Sequence, residues 1–140
     1  MLSFTIEADP SATAIAFNEP LIACSVGFVG RLDGVVYLYC GCSFAHQITS
    51  HLLGLDKGEV AADEMINDAM GEMGNMIVGQ LKSRLCDGGA TCVLTIPTVL
   101  RGDRFTIGSV SSTQRRVFFF RCGSSQLVLE ALIRTPPPGR

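Results

Sequence analysis

Charge is scarce in this chain: only 17% of its 140 residues are Asp, Glu, Lys or Arg, and the formal net charge is -2. The 11 basic residues are scattered, with none of the patches or stripes that a nucleic-acid footprint needs, so nucleic acid is excluded as the expected partner. Long apolar runs are missing as well. None approaches the roughly 20 residues that cross a bilayer, which speaks against a membrane protein. The first residues carry no basic head, apolar core and small-residue cleavage site, and the expected location is cytoplasmic. Phosphate-cradling glycine patterns are also lacking. There is no P-loop and no G-x-G-x-x-G, and GFVG at 27–30 leads into a strand pattern instead of a helix. No Ser-His-Asp, Cys-His or paired-carboxylate constellation is legible.

Cysteine is not scarce, yet the usual chemistry of cysteine is poorly supported. The six are Cys24, Cys40, Cys42, Cys86, Cys92 and Cys122. An even number suits disulfides in an exported protein, but no export signal accompanies them. Cys40 and Cys42 form a C-x-C that would point one way in an extended strand. Two ligands do not complete a zinc site, and no second pair with histidine support follows. Reduced core or half-buried thiols are the expectation, ahead of a metal or redox role. His46 and His51 stand five apart, the wrong spacing for two ligands on one helical turn, so packing or surface roles are expected for both.

What the chain does have is apolar material, 47% of its residues, enough for the core of one domain. We place that domain at 1–134, with a Pro-rich tail at 135–140. LSFTIEA at 2–8 reads as a strand. Residues 13–30 read as one or two more, with a possible turn at NEP. RLDG at 31–34 reads as a tight hairpin turn on the strength of its Asp-Gly, and joins VGFVG to the β-rich VVYLYC. SFAHQITSHLLGL at 43–55 is helical, with Ser43 as N-cap and Gly54 near the stop. A longer helix runs from about Val60 to Leu85 and ends at Asp87-Gly88-Gly89. TCVLTIPTVL at 91–100 reads as a strand in which Pro97 marks an edge, a bulge or the strand's end. After a turn at RGDR come FTIGSV, RRVFFFR and QLVLEALI, and these four strands suggest an antiparallel meander. Strands, then two helices, then strands indicate an α+β domain with the helices packed on a mostly antiparallel sheet.

The long helix carries an unusual face. At about 100° per residue, Asp68, Glu72, Asn75 and Gly79 fall within a band about 60° wide. Ile66, Ala69, Met70, Met73, Ile77 and Leu81 occupy the opposite side, as an amphipathic helix requires. Asp68 and Glu72 are like charges four apart, which costs an isolated helix a little stability. Glycines stand at 71, 74 and 79, each costing about 1 kcal/mol relative to alanine inside a helix. They remove bulk around the polar tips and would let another backbone or another active site approach. Gly71 and Gly74 could equally serve packing against the sheet, and the polar row could be an ordinary wet face. If it is a site, its residues suit positioning. The Asn75 amide offers both an acceptor and donors and can hold a water. The Glu72 carboxylate can pair with a cation on a partner. Two carboxylates on one helix make a thin metal site.

DAMGEMGN at 68–75 fits a pattern of Asp or Ser, three residues, Glu, two residues, Asn. After Asn75 come twenty-one residues and then Pro97. Upstream, GVVYLYCGCSFAHQITSHLLG resembles a hairpin strand, small-residue turn, short helix and closing Leu-Gly. Together these resemble the CheX branch of the CheC/CheX/FliY phosphatases, over roughly residues 25–133. That resemblance implies a CheX/CheC-like domain that hydrolyses the aspartyl phosphate of a CheY-like receiver domain in two-component signalling. It implies that Glu72 pairs with the receiver's conserved lysine and that Asn75 enters the receiver's active site and orients the attacking water. Asp68 stands at the accessory Asp/Ser position, Pro97 on the strand facing the helix, and Gly71 and Gly79 beside the polar tips. The family's Mg2+ is held by the receiver, so this chain is expected to bind no cofactor or metal itself. A homodimer is implied too. CheC-type members have two Glu-Asn helices, but SFAHQITSHLL lacks Glu-x-x-Asn, so one site is expected. CheX members tend to begin with a longer, helix-containing segment, whereas this chain starts at LSFTIEA. Two other readings compete: a non-catalytic receiver-binding or flagellar-switch-like adaptor, and a homodimeric ligand-sensing domain in which the glycines serve close packing.

Overall fold

The computed structural model describes residues 6–10, 17–56, 62–102 and 113–134. Its spine is a hairpin of β2 (Leu21–Gly30) and β3 (Asp33–Gly41), paired antiparallel from Leu21↔Gly41 to Phe28↔Gly34. Arg31 and Leu32 make the turn, and Asp33 and Gly34 already belong to β3. The expected Asp-Gly turn is therefore displaced. Asp33 instead accepts a hydrogen bond from the Gly30 N–H at 2.9 Å and locks the turn from outside. Gly34 is needed for space, since a Cβ there would collide with the Phe28 ring.

The chain leaves β3 directly into α1 (Cys42–Leu53), crosses to α2 (Asp63–Asp87), and returns as β4 (Cys92–Leu94) and β5 (Thr98–Gly102). A last hairpin joins β6 (Thr113–Cys122) to β7 (Ser125–Arg134), and β1 (Glu7–Ala8) pairs with the end of β6. Among the described residues the strands lie in the order β1-β6-β7-β3-β2-β4, with β5 beside β2 as well. Every pairing is antiparallel. The expected α+β architecture holds. The expected four-strand meander does not, because β4 and β5 flank β2 while β6 lies beyond β7 on the far side of the sheet. FTIGSV, the proposed strand start at residues 2–5, the helix start near Val60 and the tail at 135–140 fall outside the described residues.

Both helices cover one face of the sheet. Ile22, Cys24, Val26 and Phe28 of β2 meet Phe44, Ala45 and Ile48 of α1 and Ile66, Met70 and Val78 of α2 in one buried core. The other face holds a smaller cluster around Ala23, Tyr39 and Val128. There Glu130, 2% exposed, accepts a 2.6 Å hydrogen bond from Arg115 Nε and a longer one of 3.4 Å from the Tyr39 hydroxyl. A buried carboxylate is tolerable because it is paired this way. No helix among the described residues is long and apolar enough to cross a membrane.

Two helix ends differ in how they are closed. Ser43 was expected to cap α1, but the N-cap is Gly41 and Ser43 lies inside the helix. Glu19 reaches in from the preceding segment. Its carboxylate accepts from the Ser43 N–H at 3.0 Å and from the Ser43 hydroxyl at 2.7 Å. A negative group at a helix N-terminus satisfies free N–H groups and suits the helix dipole. At the other end Gly54 adopts φ 64°, the left-handed stop that glycine permits. The end of α2 at Asp87 and the two glycines after it agree with the sequence reading.

The buried seam of α2 runs Ile66, Met70, Gly74, Val78, four residues apart, with Met73, Ile77 and Leu81 half-buried beside it. Gly74 thus lies toward the sheet and not among the polar tips. A Cβ on it would sit 2.6 Å from Cys24 Sγ and 3.3 Å from Val26 Cγ2. Gly79 meets nothing within 4 Å. The two glycines should therefore respond oppositely to alanine. Gly74→Ala overfills the contact and should destabilise by about 1–3 kcal/mol. Gly79→Ala should stabilise by about 0.5–1 kcal/mol through helix propensity. Chemical denaturation of both variants measures the difference.

All six cysteines are free thiols. Cys40 is buried in β3, while Cys42 is the first residue of α1, so the C-x-C straddles a strand-to-helix corner and is not an extended pair. Burial pushes the Cys24 thiol up to about 11 and the Cys40 thiol up to about 12. Both are thus protonated at neutral pH and poor nucleophiles. In a timed thiol-labelling assay Cys24 and Cys40 should react only upon unfolding, with Cys86 and Cys122 labelled first.

Candidate functional site

Strand β5 and the residue just before it bring three side chains to the helix-bearing face. Side chains alternate along a strand, and the alternation 97, 99, 101 sets Pro97, Val99 and Arg101 on one side. Val99 packs against the core, facing Cys24 in the register of β2. The strand expected at 91–100 is split into β4 and β5 by Thr95, Ile96 and Pro97. Proline has no N–H to donate to the ladder. Thr95 bridges the gap instead: its N–H donates to the Gly27 carbonyl at 2.9 Å, and its hydroxyl accepts from the Gly27 N–H at 2.8 Å. The RGDR stretch, expected as a turn, begins instead inside β5 with Arg101 and Gly102.

Helix α2 lies over this strand. Gly71 is buried at the contact, and a Cβ there would meet the Pro97 ring at 3.6 Å, ordinary van der Waals contact. Where helix and strand diverge they leave an open depression of about 380 Å³ lined by Asn67, Asp68, Gly71, Glu72, Asn75, Pro97 and Val99. Five of the six residues singled out in the sequence therefore come together: Asp68, Gly71, Glu72, Asn75 and Pro97. Gly79 does not line the depression and lies one turn farther along the helix. Asp68 and Glu72 are exposed, and Asn75 is half-buried. Among the described residues, no hydrogen bond or ion pair engages the side chains of Asp68, Glu72 or Asn75.

The contrast with the rim is sharp. Arg101 donates to Asn67 Oδ1 from Nε at 3.1 Å and from Nη2 at 2.8 Å, and Nη2 also donates to the Asp63 carbonyl at 3.2 Å. Its Nη1 stands 3.7 Å from the exposed Asp63 carboxylate. This network ties the first turns of α2 to β5. The sequence reading missed Asn67, Val99 and Arg101. The alternation with Pro97 was the available signal for Val99 and Arg101, hidden by reading RGDR as a turn.

The depression offers two carboxylates, Asp68 and Glu72, and two amides, Asn67 and Asn75, on a rigid helix, backed by a proline. Among the described residues, no group of three or more His, Cys, Asp and Glu side chains is arranged to hold a metal ion. Chemically, the arrangement can dock a cation through Glu72 and hold a water or polar group through Asn75.

A family model described as chemotaxis phosphatase CheX matches residues 22–121. No curated protein matches the sequence. The fold is similar to that of solved structures. The crystal structure of chemotaxis protein CheX from Vibrio vulnificus superposes with a TM-score of 0.77 at 20% identity, covering 94% of this chain and 84% of that one. CheX from Desulfovibrio desulfuricans gives 0.74 at 24% identity, over 92% and 87%. A CheX-CheY-BeF3-Mg2+ complex from Borrelia burgdorferi gives 0.74 at 19% identity, over 94% and 84%.

Proposed function

This chain belongs to the chemotaxis phosphatase CheX family, and we propose that it hydrolyses the aspartyl phosphate of a CheY-like receiver domain. The observation that carries the reading is the pairing of Glu72 and Asn75. They sit one turn apart on the open side of a packed helix, in one depression with Asp68 and Pro97. Among the described residues neither side chain has a hydrogen-bond or ion-pair partner, which leaves both open to an incoming surface. The solved complex of a CheX with CheY, BeF3 and Mg2+ supports the class of partner.

The chemistry asked of this chain is modest. Water attacks phosphorus, the P–O bond to the receiver's aspartate breaks, and inorganic phosphate leaves. Asn75, inserted beside the phosphoryl group, accepts a hydrogen bond from the water through its carbonyl and aims the oxygen lone pair in line. Such positioning is a sufficient source of rate because phosphoryl transfer depends mainly on alignment and charge stabilisation. Glu72 fixes the docked geometry through an ion pair with a lysine of the receiver. Asp68 shapes the rim, and Pro97 with Gly71 sets the height of the helix above β5. The donor set here is too thin for magnesium, so Mg2+ belongs to the receiver, where it neutralises charge on the phosphoryl group. In this reading the domain at 1–134 carries the activity, in the cytoplasm.

Receivers phosphorylated with a small acyl-phosphate donor and followed for phosphate loss test this directly. Wild-type protein should accelerate loss, and Asn75→Ala should lower kcat by about 100-fold through lost alignment. Glu72→Ala should mainly raise KM, by about tenfold for one charged hydrogen bond. A protein that binds the phosphorylated receiver without hastening phosphate loss is an adaptor, and that result would sink the catalytic reading.

A further inference from the structure

Resting on the phosphatase reading above, we propose that Asn67, oriented by Arg101, is a further positioning residue of this site that donates a hydrogen bond to an oxygen of the docked receiver. The argument starts from donor and acceptor chemistry. A guanidinium has five N–H donors and no acceptor, so only the carbonyl end of an amide can face it. Arg101 holds Asn67 Oδ1 with two such donors, at 3.1 and 2.8 Å. The amide is thereby fixed in one of its two flips. Its Nδ2 donors have no hydrogen-bond partner among the described residues. They are the polar atoms Asn67 has left to offer the depression that it lines with Glu72 and Asn75.

The orientation is costly to lose by chance. Arg101 is itself held at a second point by the Asp63 carbonyl at 3.2 Å, and its side chain is only 33% exposed. A planar fork gripped at two places cannot swing away as a surface lysine does. The carboxylates beside it are different in kind. Ionised, Asp68 and Glu72 can only accept, so they select cations and N–H groups of the partner, while Asn75 with its free carbonyl and amide can do both. Asn67 adds the opposite preference at one end of the same depression and would seat a backbone carbonyl or carboxylate oxygen of the receiver. A donor at one end and acceptors along the middle define a direction of docking, which a row of carboxylates alone does not.

The discriminating variant is Asn67→Asp, because a carboxylate still pairs with Arg101 but has no N–H to donate. Phosphate loss is measured with the receiver that the wild-type protein dephosphorylates, and binding with the same receiver held by beryllofluoride and magnesium. Asn67→Asp should raise KM about tenfold, with a matching loss in binding, and leave kcat within about twofold. Its thermal midpoint should equal that of the wild type or exceed it. Arg101→Ala should raise KM alone, yet add nothing further in an Asn67→Ala background, since it acts through the amide. A merely structural tether predicts wild-type KM for both Asn67→Asp and Arg101→Ala, whatever the midpoint of the latter. Wild-type kinetics and binding in Asn67→Asp, or additive losses in the double variant, overturn the proposal while the phosphatase reading stands. A wild-type protein that neither binds nor dephosphorylates any receiver in a panel overturns both.

Discussion

The approach of α2 to β2 governs what the rest of this molecule can present. At Gly74 the helix backbone rests against Cys24 and Val26 with no room for a Cβ. That contact fixes the rotation of the helix about its own axis. With Ile66, Met70, Gly74 and Val78 turned to the sheet, Asp68, Glu72 and Asn75 must turn away from it. The outward row is thus a consequence of the inward seam, and a rigid one, because protein interiors are close-packed and resist small rotations. A second contact, Gly71 over Pro97, sets the lateral position. Between them they convert a helix into a platform.

Stability and function place opposite demands on this helix, and the glycines divide accordingly. Gly74 serves the fold. Gly71 serves the seam between helix and strand. Gly79 serves neither contact in this chain and lies beyond the depression. The helix begins without a side-chain cap on its first N–H groups, and its anchoring falls to Arg101 on β5 together with the acidic pair Asp63 and Glu64 in the first turn. The tether holds the site-bearing turns in place, and the same guanidinium also selects the orientation of Asn67.

The sequence was most legible where one physical requirement dominated. Amphipathic spacing located α2 and its polar row, and β-branched and aromatic residues located β3. The left-handed stop at Gly54 and the glycine pair after Asp87 followed from the backbone freedom of glycine. Legibility failed where a local rule was overridden by a distant group. Ser43 looked like a cap, yet Glu19, twenty-four positions earlier, took over that end of α1. Asp33-Gly34 looked like a turn centre, yet Gly34 is there for the Phe28 ring and Asp33 for Gly30. Strand order was illegible for the same reason: nothing local in 92–102 says that these residues pair with β2 and not with β6. Of the lining of the depression, Asp68, Gly71, Glu72, Asn75 and Pro97 could be read in advance. The Arg101–Asn67 link could not, because it joins residues thirty-four apart through side chains whose types are common on any surface.

The interruption at Thr95–Pro97 has a bearing on solubility. An outermost strand with a continuous row of unpaired N–H and C=O groups invites another chain to add itself, the first step of edge-to-edge aggregation. Among the described residues the outer border of the sheet is divided into a three-residue and a five-residue piece, separated by three residues of which Pro97 cannot donate. Neither piece offers a long template. The proline that backs the depression therefore also blunts the border beside it, so that the proposed docking surface is poorly suited to recruiting unfolded chains.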